Sequence, residues 1–124
     1  MILIALGGGL GALLRFWLDG KINAVARKAA PGWGVPVGTV VINVTGSLLL
    51  GVVTGWWLTH TGDETWKTLL GAGFLGGFTT FSTASVEAAR LILSGRGALA
   101  AVHAGVMLVL AVGAAWLGFW LGTL

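Results

Sequence analysis

The chain has 124 residues, of which 56% are hydrophobic and only 9% charged, and its mean hydropathy is +0.96. That balance excludes an ordinary water-soluble domain, in which about a quarter of residues carry charge. Cysteine is absent, which excludes disulfide frameworks and thiolate metal centres.

Four apolar runs, at about 2–22, 37–58, 66–93 and 98–123, each match the roughly 20 helical residues that cross a bilayer core. They predict an all-α membrane protein: one compact domain, 1–124, of four transmembrane helices joined by short connections. The first run starts at Ile2 with no basic leader and no convincing small-residue cleavage site, so it reads as a retained span. Trp17, Trp33, Trp56, Trp57, Trp66 and Trp120 lie near the ends of runs, at the depth of the interfacial aromatic belts.

The connections read as "GKINAVARKAAPGWGVP", "THTGDET" and "SGRG". Lys21, Arg27, Lys28, Arg90 and Arg96 fall on one side of the membrane, against Lys67 on the other. The positive-inside rule then puts both termini outside the cytoplasm of a bacterial plasma (inner) membrane. A pI near 10.3 raises nucleic acid as a partner, but the cations sit at membrane boundaries and form no stripe. Small-xxx-small pairs, Gly7 with Gly11, Gly51 with Gly55, Gly73 with Gly77 and Gly118 with Gly122, point to close helix packing.

Within the runs, charged and polar residues each need a reason, because a charge in hydrocarbon costs about 2.5–3.5 kcal/mol on insertion scales. In the first run, Arg15 followed by Asp19 is either an i, i+4 pair reaching for the interface or a vestibule cation that attracts anions. In the second, Thr39, Asn43 and Ser47 share one helical face, a polar stripe that either bonds neighbouring helices or lines a path.

The third run contains "GGFTTFSTAS". Gly76 and Gly77 disfavour helix, and Thr79, Thr80, Ser82, Thr83 and Ser85 are able to bond freed backbone groups, which predicts a helix break at mid-depth. Unwound carbonyls are hard oxygen ligands suited to an alkali cation. Phe78 and Phe81 add ring edges of partial positive charge that an anion meets without being trapped. Farther along, Glu87 of this run and His103 of the fourth lie at similar depth, as a structural pair or, less readily, a proton-coupling site.

Three segments carry a resemblance to the small fluoride channels of the Fluc (CrcB) family. "GGGLGALLRF" resembles the family's opening at Gly7, Gly8, Gly11, Ala12 and Arg15, with Phe16 for a tyrosine. "GTVVINVTGSLLLG" is similar to its second-helix pattern and puts Asn43 on the pore asparagine, while "GFLGGFTTFSTAS" resembles its third-helix break. The resemblance implies an inverted, antiparallel dimer with a structural sodium ion at its centre, held by main-chain carbonyls at Gly76 and Thr79 of both subunits. It also implies passive fluoride export past Asn43 and Phe81; Thr39 of the polar stripe and Ser82 and Thr83 of the break are further candidates for the ion pathway, with membrane lipid around the dimer. The chain departs from the family at Ala84, for the second phenylalanine of a pair, at Met107 and Ala111, for fourth-helix serines, and at His103, for a tyrosine. With the one-sided loop charge, these departures suggest a hetero-dimer with an oppositely oriented family member, one good pathway being retained; a homodimer stands close behind.

Two other classes compete. A small multidrug-type, proton-coupled exporter needs a carboxylate deep in its first helix, where this chain has Arg15 and no mid-depth acid. A non-conducting membrane assembly subunit would explain the glycine pairs but neither Asn43 nor "GGFTTFST". Enzymatic function is not expected: no nucleophile triad or metal-ligand cluster is visible, and "GGGLG" lacks the strand before it and the lysine after it that a phosphate loop needs.

Overall fold

The computed structural model describes residues 1–60 and 63–124. All of its regular structure is helical: α1 (Ile2–Ala29), α2 (Val37–Thr59), the short α3 (Glu64–Thr68), a π-helical segment (Leu69–Leu75), α4 (Gly76–Phe78), α5 (Phe81–Leu93) and α6 (Gly97–Gly122). The stretch Glu64–Leu93 forms the third of four spans long and apolar enough to cross a membrane. The chain is thus a multi-pass membrane protein, all-α, with a break in its third span. Part of the "THTGDET" connection, Thr61 and Gly62, lies outside the described residues.

Most of "GKINAVARKAAPGWGVP" is helical, whereas the hydropathy pattern suggested a connection. Good helix formers such as Ala24, Ala26 and Ala29 carry α1 on to the residue before Ala30–Pro31, where the proline restricts its predecessor to extended backbone. Its 28 residues make it about 42 Å long, more than the roughly 30 Å of a hydrocarbon core. The surplus places Arg27 and Lys28 in the last turn, where cations complement the helix dipole. Asn23, still on α1, then caps α2: its Oδ1 accepts from the Gly38 amide at 3.0 Å.

Two parallel helix pairs build the bundle, and glycines set both contacts. In α2 and α6, a Cβ on Gly51, Gly55, Gly118 or Gly122 would overlap a carbonyl oxygen of the facing helix, those of Ala115, Phe119, Leu48 and Val52 respectively. The α1 contact with the third span is built alike: a Cβ on Gly11 would strike the Phe74 carbonyl, and one on Gly77 the Gly8 carbonyl. Gly7 and Gly73 sit close to Leu69 and Ile4. The glycine pairs are therefore packing residues, as small-xxx-small spacing in a membrane helix implies.

At the end of α5, Gly95 takes φ +78° and the Arg96 amide returns to the Leu91 carbonyl at 2.8 Å, so the "SGRG" turn closes as a glycine C-cap. Arg96 then donates through Nη2 to the Trp33 carbonyl at 3.0 Å, tying this turn to the connection between α1 and α2.

Candidate functional site

The third span changes character twice before it breaks. Over Leu69–Leu75 it is π-helical, with the Gly76 amide reaching back five residues to the Gly71 carbonyl. Gly76 itself is helical at φ −62°, ψ −36°, and α4 continues to Phe78. The unwinding falls on the next two residues: Thr79 has ψ 155° and Thr80 has φ −151°, ψ 126°, both extended. The break is present as "GGFTTFSTAS" suggested, but the glycines do not cause it. Gly77 lets α4 lie against Gly8, and the two threonines carry the extended backbone.

What holds the break open is Asn43. Its Oδ1 accepts from the Thr80 amide at 2.8 Å, and its Nδ2 donates to the Thr80 carbonyl at 2.9 Å. In an unbroken helix the Thr80 amide would serve the Gly76 carbonyl; here that carbonyl loses its donor. Nδ2 also points at Met107 Sδ, 3.5 Å away, a weak acceptor. Downstream, Thr80 caps α5 by accepting from the Thr83 amide at 3.2 Å, with Phe81 as the first helical residue.

Arg15 is joined to the same point. Its Nη1 donates to Thr83 Oγ1 at 3.3 Å, and Thr80 Oγ1 donates to that same oxygen at 3.4 Å. Asp19 instead accepts from Asn23 Nδ2 at 2.9 Å, and among the described residues no ion pair joins Arg15 to Asp19. Of the two readings of Arg15, the i, i+4 pair is therefore set aside, and a cation beside the break is what remains.

Thr39, 1% exposed, and Asn43, 8% exposed, sit inside the chain's own core, with Ser47 half-buried beyond them. Thr39 Oγ1 donates to Glu87 Oε1 at 2.7 Å. His103 Nε2 stands 4.0 Å from Glu87 Oε2, too far for a hydrogen bond. His103 and Met107, one turn apart on α6, thus meet the Thr39 and Asn43 levels of the α2 stripe. Ala84 is buried and Ala111 half-buried.

The rings divide sharply. Phe78 is 6% exposed and stacks on Phe74 with centroids 6.3 Å apart, whereas Phe81 is 86% exposed on the outer surface of the chain. Ser82 is exposed beside it, Thr83 is half-buried, and Gly76 is exposed on the other side of the break. At the basic end, a cavity of about 530 Å³ opens among Asp19, Arg27, Trp33, Glu87, Arg90 and Arg96.

Sequence reasoning placed Asn43 on a polar stripe but missed its two bonds to Thr80, as well as Asn23 capping α2 and Arg15 bonding Thr83. Each partner lies far away in sequence, and no local pattern marks it.

The family model for "CrcB-like protein, Camphor Resistance (CrcB)" matches residues 2–119. The chain belongs to the CrcB family. Within it, the chain is 51% identical over 125 residues to "Fluoride-specific ion channel FluC 1" of Leifsonia xyli subsp. xyli, covering 100% of this chain and 87% of that protein. It is 50% identical over 124 residues to "Fluoride-specific ion channel FluC 2" of Cutibacterium acnes, covering 99% and 97%. To "Fluoride-specific ion channel FluC" of Novosphingobium aromaticivorans it is 45% identical over 115 residues, covering 93% and 89%.

Proposed function

We propose that the chain is a fluoride channel, not an enzyme, and that it lowers cytoplasmic fluoride by passive export across the bacterial membrane. The observation that carries this reading is the extended Thr79–Thr80 break, pinned by Asn43 and followed by the outward ring of Phe81. Full-length relatives named as fluoride-specific channels support it. Fluoride is small and strongly hydrated, so a path for it needs donors that replace water without binding too tightly.

Asn43 supplies one such donor. Its second amide hydrogen faces only the thioether of Met107, a bond weak enough for an anion to displace. The Phe81 ring edge supplies a diffuse positive field. Arg15, held to Thr83, gives the region a fixed positive charge without a bare cation in the path. Ser82 and Thr83 add hydroxyl donors, whereas the Thr39 hydrogen on the same path is given to Glu87.

The break also fits a sodium ion. The Gly76 carbonyl has lost its helical donor to Asn43, and the Thr79 carbonyl lies in the extended segment, so both are hard oxygens turned away from helix pairing. Bound there, sodium would neutralise carbonyl dipoles that face no amide. One chain brings too few oxygens to complete its coordination, and a second chain, antiparallel across the break, supplies the rest. Such a partner also covers Phe81, Ser82 and Gly76, which lipid would leave with unsatisfied polar neighbours. Cations gathered at one end, against Lys67 at the other, favour an oppositely oriented family member as that partner, with a second copy of this chain as the alternative.

Fluoride efflux from liposomes tests the reading, first with this chain alone, then with an oppositely charged family member, and finally with sodium replaced by N-methylglucamine. Electrogenic efflux that falls with Phe81 or Asn43 substituted, and that needs sodium, is the expected result. Absence of efflux under all of these conditions would refute it.

A further inference from the structure

Glu87 and His103 present buried atoms that nothing satisfies. Glu87 Oε1 is occupied by the Thr39 hydroxyl, but Oε2 has no partner; His103 Nε2 has none either, and the two face each other at 4.0 Å. The His103 side chain is 5% exposed and that of Glu87 12%. Two orphaned polar atoms in a membrane interior are costly unless something joins them. A hydrogen on Nε2 does so, and in the imidazolium the bond is also charge-assisted: an approach of about 1 Å brings Nε2–H and Oε2 to hydrogen-bond distance.

Glu87, though not His103, also lines the cavity at the basic end of the bundle, which gives the carboxylate a route to water from that side. We propose that Glu87 and His103 together form a proton-binding site, and that its occupancy sets how readily anions pass from that cavity toward Asn43. The proposal rests on the reading of the chain as an anion channel. With the pair carrying net negative charge, the carboxylate repels an incoming anion; with one further proton the pair is neutral and the repulsion ends.

Other charges around the pair are few. From α1 come Asp19 and Arg27, which line the same cavity, and Arg15, which bonds Thr83 one turn before Glu87. The α5 helix adds Arg90, and the turn after it Arg96. On α2 only the uncharged Thr39 and Asn43 face it, and His103 is the single titratable side chain of α6. Of all these groups His103 alone belongs to a residue type that ordinarily titrates between pH 5 and 8.

The test measures fluoride efflux from liposomes between pH 5.5 and 8, corrected for protein-free vesicles, alongside the imidazole NMR signals of labelled histidine. Wild-type efflux should rise on acidification by on the order of tenfold, the effect of removing one charge a few ångströms from the path. Glu87→Gln should be fast and flat across the range, and His103→Gln should lose the inflection. The His103 NMR midpoint should move in Glu87→Gln. A pH-independent wild type, an unchanged slope in His103→Gln, or a His103 midpoint indifferent to Glu87 would overturn the proposal. Should His103→Gln fail to fold, the Glu87→Gln profile and the NMR midpoint decide. Loss of efflux at every pH in every protein counts against the channel reading instead, and the NMR midpoint still judges the pair.

Discussion

Replacing Asn43 with leucine keeps the side chain's branching and heavy-atom count and removes both bonds that hold the break, so it probes what the amide contributes. The Thr80 amide and carbonyl would each lose a partner, at 2.8 and 2.9 Å in the native chain, inside a core where Asn43 is 8% exposed. Leaving a buried polar group unsatisfied costs about 1–3 kcal/mol. In a membrane the unfolded reference finds substitute partners, which lowers the figure per bond to about 0.6–1.7 kcal/mol. The sum for two groups is therefore about 1–3 kcal/mol. Unfolding in SDS followed by tryptophan fluorescence measures it, and amide exchange at Thr80 reports the same bond directly. Asn43→Asp is the companion variant: it keeps an acceptor for the Thr80 amide but puts a carboxylate on the proposed fluoride path, so flux should vanish in a protein that still folds. If Asn43→Leu unfolds within about 0.5 kcal/mol of wild type, a shift typical of an exposed surface change, Asn43 does not hold the break.

Glycine substitutions should split by sign. Gly118→Ala and Gly51→Ala push α2 and α6 apart and should cost about 1–3 kcal/mol, while Gly113→Ala, with nothing within 4 Å, should be neutral or stabilising, all read by the same SDS titration. The two rings should separate stability from flux: Phe81→Ala leaves the unfolding of the solitary chain nearly unchanged but cuts efflux, whereas Phe78→Ala, buried at 6%, costs about 3–5 kcal/mol. At the other end of the bundle, the Thr65 amide donates to Asp63 Oδ1 at 2.8 Å and holds that carboxyl below its usual value. Because the folded value is the lower one, its stabilisation of α3 is full above the ordinary carboxylate range and is lost as pH falls through the folded value. Amide exchange over Glu64–Thr68 should therefore quicken in acid, and Asp63→Asn, an equally good cap, should abolish that pH dependence.

Hydropathy alone located four spans, because a membrane-crossing helix is a long apolar run whatever it packs against. Glycine spacing found the faces of close approach for a similar reason: a helix repeats every 3.6 residues, and only a missing Cβ admits a neighbouring carbonyl. The break was legible as composition but misplaced in cause. Gly76 and Gly77 stay helical because Gly8 packs on Gly77 and the Gly71 carbonyl takes the Gly76 amide, so tertiary contact overrides a weak local preference. Thr79 and Thr80 unwind because Asn43, 37 positions before Thr80, offers the Thr80 backbone both a donor and an acceptor. Nothing within a helical turn of Thr80 announces that partner. The same holds for the end of α1, where local alanines favoured helix more than the polar tract opposed it, and for Arg15, whose bond to Thr83 spans 68 positions.

The polar residues inside this bundle are arranged in two levels, and the arrangement decides which of them are free to meet an ion. At one level Thr39 and Glu87 bond across α2 and α5, with His103 of α6 close by; at the next, Asn43 joins α2 to the break and touches Met107 of α6. Helices α2 and α6 cannot slide relative to one another, since Gly51, Gly55, Gly118 and Gly122 lock their register through backbone contact. Hence the thioether of Met107 is fixed opposite the amide, and the second Asn43 hydrogen is held in a direction with only a weak competitor. A stronger acceptor at 107 would capture that hydrogen and tighten the core, and in the proposed channel it would do so at the expense of an anion's access. Met107 therefore preserves a weakly satisfied donor at the depth where the third span is also unwound, and under the proposed channel function stability and conduction would draw on the same side chain in opposite directions.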